Sequence, residues 1–241
     1  MSALRSVAFL LYQTLVTPFY AFAMVLCFWL PRGPLYRLAA SWCRVVLFGA
    51  RWICGIRYRM EGRENIPTTP HIVLSKHSST WETLALTQFF PPLAYVAKKE
   101  LLSIPFFGWG FRLASPITID RSAGTDAMQQ IAVQGRERFR QGFWIVLYPE
   151  GTRIPPGQRA KYKTGGARLA VELGVPVIPV AHNAGYLWPK GVFRKRPGTL
   201  TVSIGKPIPS AGRDAQTLMA DVEDWIETEV ARLGKPAGAA A

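Results

Sequence analysis

Apolar residues follow two different rhythms along this chain. Residues 7–30 (VAFLLYQTLVTPFYAFAMVLCFWL) form an almost unbroken apolar run. As a helix it is long enough to cross a hydrocarbon layer of about 30 Å, which takes about 20 residues. Pro18, near its middle, predicts a kink. Residues 35–56 form a second helical segment in which Arg37, Arg44 and Arg51 recur every seventh position. At 100° per residue the three drift by only about 40° around the axis, so they make one stripe. Leu38, Trp42, Val45, Val46, Phe48, Trp52 and Ile53 flank it. A helix with that pattern lies in the headgroup plane of a membrane. Two other readings stand beside this one. The first run is a signal peptide, with Ala21-Phe22-Ala23 as its cleavage site and Pro18 interrupting it, or the two segments are an ordinary buried helical pair.

Beyond residue 60 the rhythm changes. Short apolar runs at 71–75, 94–97, 117–119, 144–148, 177–180 and 199–204 read as strands. Helical patterns fill 80–90, 127–141 and 165–173. A C-terminal helix near 214–233 carries Leu218, Val222, Trp225, Ile226, Val230 and Leu233 at helical spacing. The alternation predicts an α/β fold, a single catalytic domain with a central mixed sheet flanked by helices. The chain then divides into an N-terminal two-helix membrane-binding segment (1–60), the domain itself (61–234, its motifs within 71–186) and a loose tail (235–241).

Charge sharpens the membrane reading. The formal net charge is +14, which calls for a polyanionic partner. Residues 1–60 hold seven Arg and no carboxylate before Glu61, beside an uncharged stretch from 6 to 31. Lipid headgroups suit that juxtaposition better than nucleic acid, for which no RNP-like or helix-turn-helix signature is present. The stretches 153–168 and 190–206 are also basic and free of carboxylates, and would seat one face on anionic lipid, with Trp188 and Phe193 at headgroup depth. A solvated basic face serving solubility is the plainer alternative. Cys27, Cys43 and Cys54 are odd in number and lack CxxC spacing, which argues for buried thiols rather than a disulfide framework or a zinc site.

The strongest local signal is Ser75-Lys76-His77-Ser78-Ser79-Thr80-Trp81-Glu82-Thr83. A strand ends, a histidine follows, and hydroxylated residues lead into a helix, the junction where α/β folds hold reactive groups. His77 there is suited to take a proton from an attacking hydroxyl, and a carboxylate on its ring would fix the tautomer. Glu82 is that carboxylate if the helix start folds it back. Equally, Ser79-Thr80-Trp81-Glu82 is a capping box in which Glu82 bonds a helix-end amide. No GxGxxG, Walker A or GxSxG motif is present, so nucleotide-fold and triad-hydrolase chemistry are not indicated. His71 and His182, at strand ends, read as structural.

Four blocks in order, from Ile72 to Gly185, make the chain resemble the glycerolipid acyltransferases, most closely the bacterial 1-acylglycerol-3-phosphate (lysophosphatidic acid) acyltransferases. The first is the His-x4-acid block at His77 and Glu82, where the family usually has Asp. The second runs through Ala97-Lys98-Lys99-Glu100-Leu101-Leu102, Ile104-Pro105-Phe106-Phe107-Gly108-Trp109 and Ile117-Thr118-Ile119-Asp120-Arg121. The third is Tyr148-Pro149-Glu150-Gly151-Thr152-Arg153, and the fourth is Val175-Pro176-Val177-Ile178-Pro179-Val180. The resemblance implies that His77 is the base and Glu82 its orienting partner. It implies that Arg153, helped by Lys98 and Arg121, holds the acceptor's phosphate, with Glu150, Gly151 and Thr152 forming the turn that presents it. Glu150 either contacts the glycerol backbone or braces that turn.

The implied reaction moves a fatty acyl group from acyl-CoA or acyl-carrier protein to the sn-2 hydroxyl of 1-acylglycerol-3-phosphate, giving phosphatidic acid at the cytoplasmic face of a bacterial inner membrane. It needs no cofactor and no metal. Amides around Ser78–Thr80 are candidates for the oxyanion site, and Phe106, Phe107 and Trp109 for an acyl tunnel or plain core packing. Another lyso-acceptor (lysophosphatidylcholine or an ornithine lipid), or an inactive membrane scaffold made plausible by the Asp-to-Glu change, are the competing assignments.

Overall fold

A computed structural model describes residues 2–120 and 126–236, with backbone alone at Asp126 and Ala127. Two helices come first, α1 (Ser2–Leu26) and α2 (Arg32–Trp52), followed by β1 (Ile56–Glu61), β2 (Ile72–Ser75), α3 (Trp81–Phe89), β3 (Leu93–Lys98) and α4 (Phe107–Leu113). Then come β4 (Ile117–Ile119), α5 (Asp126–Arg140), β5 (Trp144–Leu147), α6 (Gly165–Leu173), β6 (Val177–His182), β7 (Gly198–Ile204) and α7 (Ala215–Leu233). The expected α/β class with a mixed sheet is what forms.

The seven strands run in the order β1-β7-β6-β2-β5-β3-β4. Every neighbouring pair is parallel except β6 with β7. β2, β5 and β6 are buried at every position, because helices cover both faces of a parallel sheet and its central strands must be apolar throughout. The parallel arrangement brings the C-terminal ends of β2, β3, β5 and β6 to one edge, where loops are free to carry chemistry.

β1 departs from the expectation. It pairs with β7 along its whole length, so the division drawn at residue 60 cuts through an edge strand of the sheet. Arg57, Tyr58 and Arg59 are exposed, and their charge made the stretch resemble a continuation of the Arg-striped helix. That helix runs from Arg32 to Trp52 rather than over 35–56. Arg37, Arg44 and Arg51 are all exposed on it, while Leu35, Tyr36, Ala40, Cys43 and Val46 are buried on the opposite side.

α1 is held to the domain along one stripe and bare along the other. Ser6, Phe9, Ala21 and Met24 are buried. The Tyr12 hydroxyl donates to the Val45 carbonyl at 2.9 Å and Trp42 Nε1 donates to Thr17 Oγ1 at 3.3 Å. Gly49 permits this closeness, since a Cβ there would stand 2.4 Å from the Tyr12 ring. At the N-terminal end, Lys195 is enclosed by the rings of Phe9, Trp188 and Phe193, its Nζ 5.3, 5.2 and 5.7 Å from their centres. Cation–π attraction compensates its burial, which pushes the ammonium pKa below its usual value. The Lys195 amide also donates to Ser6 Oγ at 2.9 Å. Trp188 is therefore an interior residue rather than a headgroup anchor, whereas Phe193 is exposed.

The other stripe of α1 presents Leu4, Leu11, Leu15, Phe19, Phe22 and Leu26 outward, Leu15 at 75% exposure. Only 17% of its most apolar window is buried, which does not fit a buried helical pair in a soluble domain. Pro18 lies inside the helix without ending it.

Candidate active site

β2 ends at Ser75 and the chain turns at once into the start of α3, which sets His77 over the edge of the sheet. Its Nδ1 lies 2.9 Å from Glu82 Oε1. The same oxygen accepts the Ser78 and Ser79 amides at 3.0 and 2.9 Å, while the Trp81 amide donates to Ser79 Oγ at 3.0 Å. The capping-box and ring-partner readings of Glu82 are thus one arrangement: a single carboxylate oxygen closes the helix start and holds the imidazole. The extra methylene relative to Asp is accommodated because the side chain reaches back over the first turn. Burial alone would raise the Glu82 carboxyl. The facing His182 ring, the His77 hydrogen bond and the Ser79 amide outweigh it and hold the group below the usual carboxylate range. An ionised acceptor at Nδ1 leaves Nε2 as the basic nitrogen of His77. Tyr148 stacks on the ring, with centroids 3.9 Å apart.

The Ser78 and Ser79 amides are spent on Glu82, so those two do not form the expected oxyanion site. At the cavity wall beside them, Thr80 Oγ1 accepts from Arg153 Nη1 at 2.7 Å. Its own hydroxyl hydrogen remains to be donated elsewhere.

Glu150 braces rather than lines the cavity. It is buried, accepts the His77 amide at 2.7 Å through Oε2, and pairs with Lys76 Nζ at 2.7 Å through Oε1. Burial pushes its carboxyl up in spite of Lys76. Gly151 turns the chain at φ +70° and packs against the Lys163 side chain. Thr152 and Arg153 follow it to the cavity, where Lys190 Nζ donates to Thr152 Oγ1 at 3.1 Å. His182 is buried beside the site. Its Nδ1 accepts the Ala184 amide at 3.3 Å, which leaves Nε2–H to donate to the Lys76 carbonyl at 2.9 Å. Burial holds it below the usual histidine range, consistent with a neutral ring.

A cavity of about 830 Å³ is lined in part by His77 and Thr80, within the range of small-ligand sites. Its lining includes Lys98, Arg153, Lys163 and Lys190 and, among the described residues, no carboxylate. The lining also includes Tyr20, Ala21 and Met24 of α1, Trp42 and Cys43 of α2, and Phe107 and Phe111 of α4. Phe106 and Phe107 line it, but Trp109 is exposed elsewhere. Since α1 forms one wall, cleavage after Ala23 would remove part of the site. Arg121 lies outside the described residues, as do positions 237–241 of the tail. In the sequence Lys163 and Lys190 stand out only as members of a basic stretch. Their signal was the absence of neighbouring acids.

The acyltransferase family model matches residues 57–183. A 1-acyl-sn-glycerol-3-phosphate acyltransferase of Pseudomonas aeruginosa is 47% identical over 208 residues, spanning 85% of this chain and 81% of its own length. One of Limnanthes douglasii is 33% identical over 65% of this chain; the match spans only 56% of that relative. Among solved structures, the 1-acyl-sn-glycerophosphate (LPA) acyltransferase PlsC from Thermotoga maritima superposes with a TM-score of 0.75 at 26% identity, covering 95% of both chains.

Proposed function

The chain belongs to the acyltransferase family, and we propose that it transfers a fatty acyl group from a thioester to the sn-2 hydroxyl of 1-acylglycerol-3-phosphate, making phosphatidic acid. The observation that carries this reading is the His77–Glu82 pair on a cavity lined by both cationic and apolar side chains. The acceptor's phosphate sits among Arg153, Lys98 and Lys190. Its hydroxyl meets His77 Nε2, which takes the proton as the oxygen attacks the thioester carbonyl. Ionised Glu82 stabilises the imidazolium that forms. The Thr80 hydroxyl and Arg153 supply hydrogen bonds to the oxyanion. As the intermediate collapses the C–S bond breaks, and the departing thiolate takes the proton back from His77. No covalent enzyme intermediate is required.

The cation cluster also bears on the acceptor. A choline or ornithine headgroup would bring a positive charge against Lys98, Arg153, Lys163 and Lys190 without a lining carboxylate to meet it. A phosphate monoester has no such conflict. The donor is acyl-CoA or acyl-carrier protein; the basic stretches 153–168 and 190–206 suit either anionic carrier.

The bare stripe of α1 supports docking on a membrane. Because α1 is bonded to the domain along its opposite stripe, it lies in the lipid interface rather than crossing it alone. The exposed Arg37, Arg44 and Arg51 of α2 reach lipid phosphates, with the domain on the cytoplasmic side. Purified full-length protein, assayed on lysophosphatidate and lysophosphatidylcholine with acyl-CoA and acyl-carrier-protein donors, tests the assignment. Turnover of lysophosphatidate, lost in His77→Ala, is the expected result; turnover of the choline lipid alone would overturn it.

A further inference from the structure

His77 is held twice, once by its ring and once by its backbone, and the backbone hold extends far from the cavity. The peptide unit between Lys76 and His77 has both polar ends bonded to side chains. Its carbonyl accepts from His182 Nε2 at 2.9 Å and from Ser75 Oγ at 3.0 Å. Its amide donates to Glu150 Oε2 at 2.7 Å. The plane of this peptide sets the direction of the His77 Cα–Cβ bond, and hence the arc through which the ring swings.

Glu150 is itself held. Lys76 Nζ lies 2.7 Å from Glu150 Oε1 and 2.7 Å from Glu227 Oε1. The Tyr162 hydroxyl donates to that same Glu227 oxygen at 2.8 Å. Arg159 approaches Glu227 Oε2 from the surface at 3.4 Å. Lys76, Glu150, Tyr162 and Glu227 are all buried, none more than 6% exposed. One ammonium between two carboxylates in such a place adopts a single geometry, because any displacement strands a buried charge. Glu227 belongs to α7, which packs on β6, and it lies well beyond residues 57–183 where the family match ends.

We propose that Glu227 is a positioning residue for the acyl transfer: through Lys76 it locks Glu150 onto the His77 amide and so fixes the aim of the base. The C-terminal helix is then part of the catalytic apparatus without touching substrate. The inference rests on the reading of His77 as the base. Misplacement of a reacting group by about 1 Å costs up to about 100-fold in rate, and the change here is a fraction of that. Glu227→Gln should lower kcat about tenfold and leave KM for lysophosphatidate and for the thioester donor within about twofold.

The test is a double-mutant cycle in kcat on the full chain, with Glu227→Gln, Lys76→Met and the pair, alongside thermal unfolding. Action through Lys76 predicts that the pair is no slower than Lys76→Met alone. Unchanged kcat in a folded Glu227→Gln protein, a loss confined to KM, or losses in kcat that multiply would each overturn the proposal. If Glu227→Gln does not fold, Tyr162→Phe decides. It keeps every charge and removes only the hydroxyl that orients Glu227, and should lower kcat about two- to threefold at unchanged KM; no change overturns the proposal. His77→Ala in the same assay separates the two levels: retained turnover there would sink the base assignment itself.

Discussion

The two sides of the cavity are built on opposite rules. On the sheet side, His77, Glu82, Glu150 and Lys76 are fixed by short polar contacts among buried groups. On the helix side, α1 contributes apolar contacts along one stripe and leaves the other uncovered. Chemistry demands placement to a fraction of an ångström and is set on strand ends within a closed polar frame. Accommodation of an acyl chain demands only apolar surface of roughly the right shape, a demand that a helix with one uncovered stripe can meet. The first side is closed within the domain; the second leaves an apolar stripe open.

That contrast can be broken at either end. The largest effect is expected for His77→Ala, a loss of about 10²–10⁴ in kcat with unchanged liposome flotation. The complementary change on the helix side is Leu11→Glu with Leu15→Glu. Each exposed Leu contributes about 1.5–3 kcal/mol when buried in lipid, so the pair should weaken liposome partitioning by about 100-fold or more, with melting temperature and turnover in detergent nearly unaltered. A drop in detergent turnover to match would mean that the two sides are not separable.

Arg153→Ala removes a charged hydrogen-bond donor worth about 1.5–3 kcal/mol. It should raise KM for lysophosphatidate roughly 10- to 100-fold while leaving KM for the donor in place. An unchanged acceptor KM would move the phosphate away from the cation cluster. Gly49→Leu collides with the Tyr12 ring and should destabilise the α1–α2 contact by about 1–3 kcal/mol, seen as a lowered melting temperature.

The smallest effect is in pH dependence. His182 is held neutral below its ordinary pKa by burial, so the unfolded chain binds the extra proton first. Its contribution to stability is complete above about pH 6.5 and is lost as pH falls below that value. Glu82, also depressed, keeps its contribution until pH falls through the carboxylate range. His182→Gln should flatten the first of these slopes and leave the second. An unaltered slope near pH 6 would assign it to another group.

Much of the sheet side was legible in the sequence. β2, β5 and β6 read as strands because runs such as Ile72–Ser75 and Trp144–Leu147 are apolar at successive positions, and His77 stood at a strand end where reactive groups gather. What stayed hidden depended on packing partners far along the chain. β1 was missed because Arg57 and Arg59 are polar for a reason visible only once the strand is known to lie at an edge. Glu82 gave two readings because spacing cannot show that one oxygen serves both. Glu227 gave none: helical periodicity picks out Val222, Ile226 and Val230, and a carboxylate adjoining that stripe passes for a solvated residue until Lys76 is found beneath it. Trp188 reads as a surface residue for a related reason: its partner Phe9 is remote in sequence, and no local pattern shows that Lys195 folds back over it.

The enclosure of Lys195 by Phe9, Trp188 and Phe193 fixes an order of events during synthesis. α1 leaves the ribosome well before Trp188 and Lys195, which receive its N-terminal end and follow Phe9 by about 180 residues. At about 5–20 residues per second the interval is roughly 10–40 s. α2 and α4, which pack on α1, are made within that interval, yet its Phe9 end stays without Trp188 and Lys195 until the end of it. The Phe9 end of α1 can therefore dock only once Trp188 and Lys195 exist, so this contact closes the fold rather than starting it.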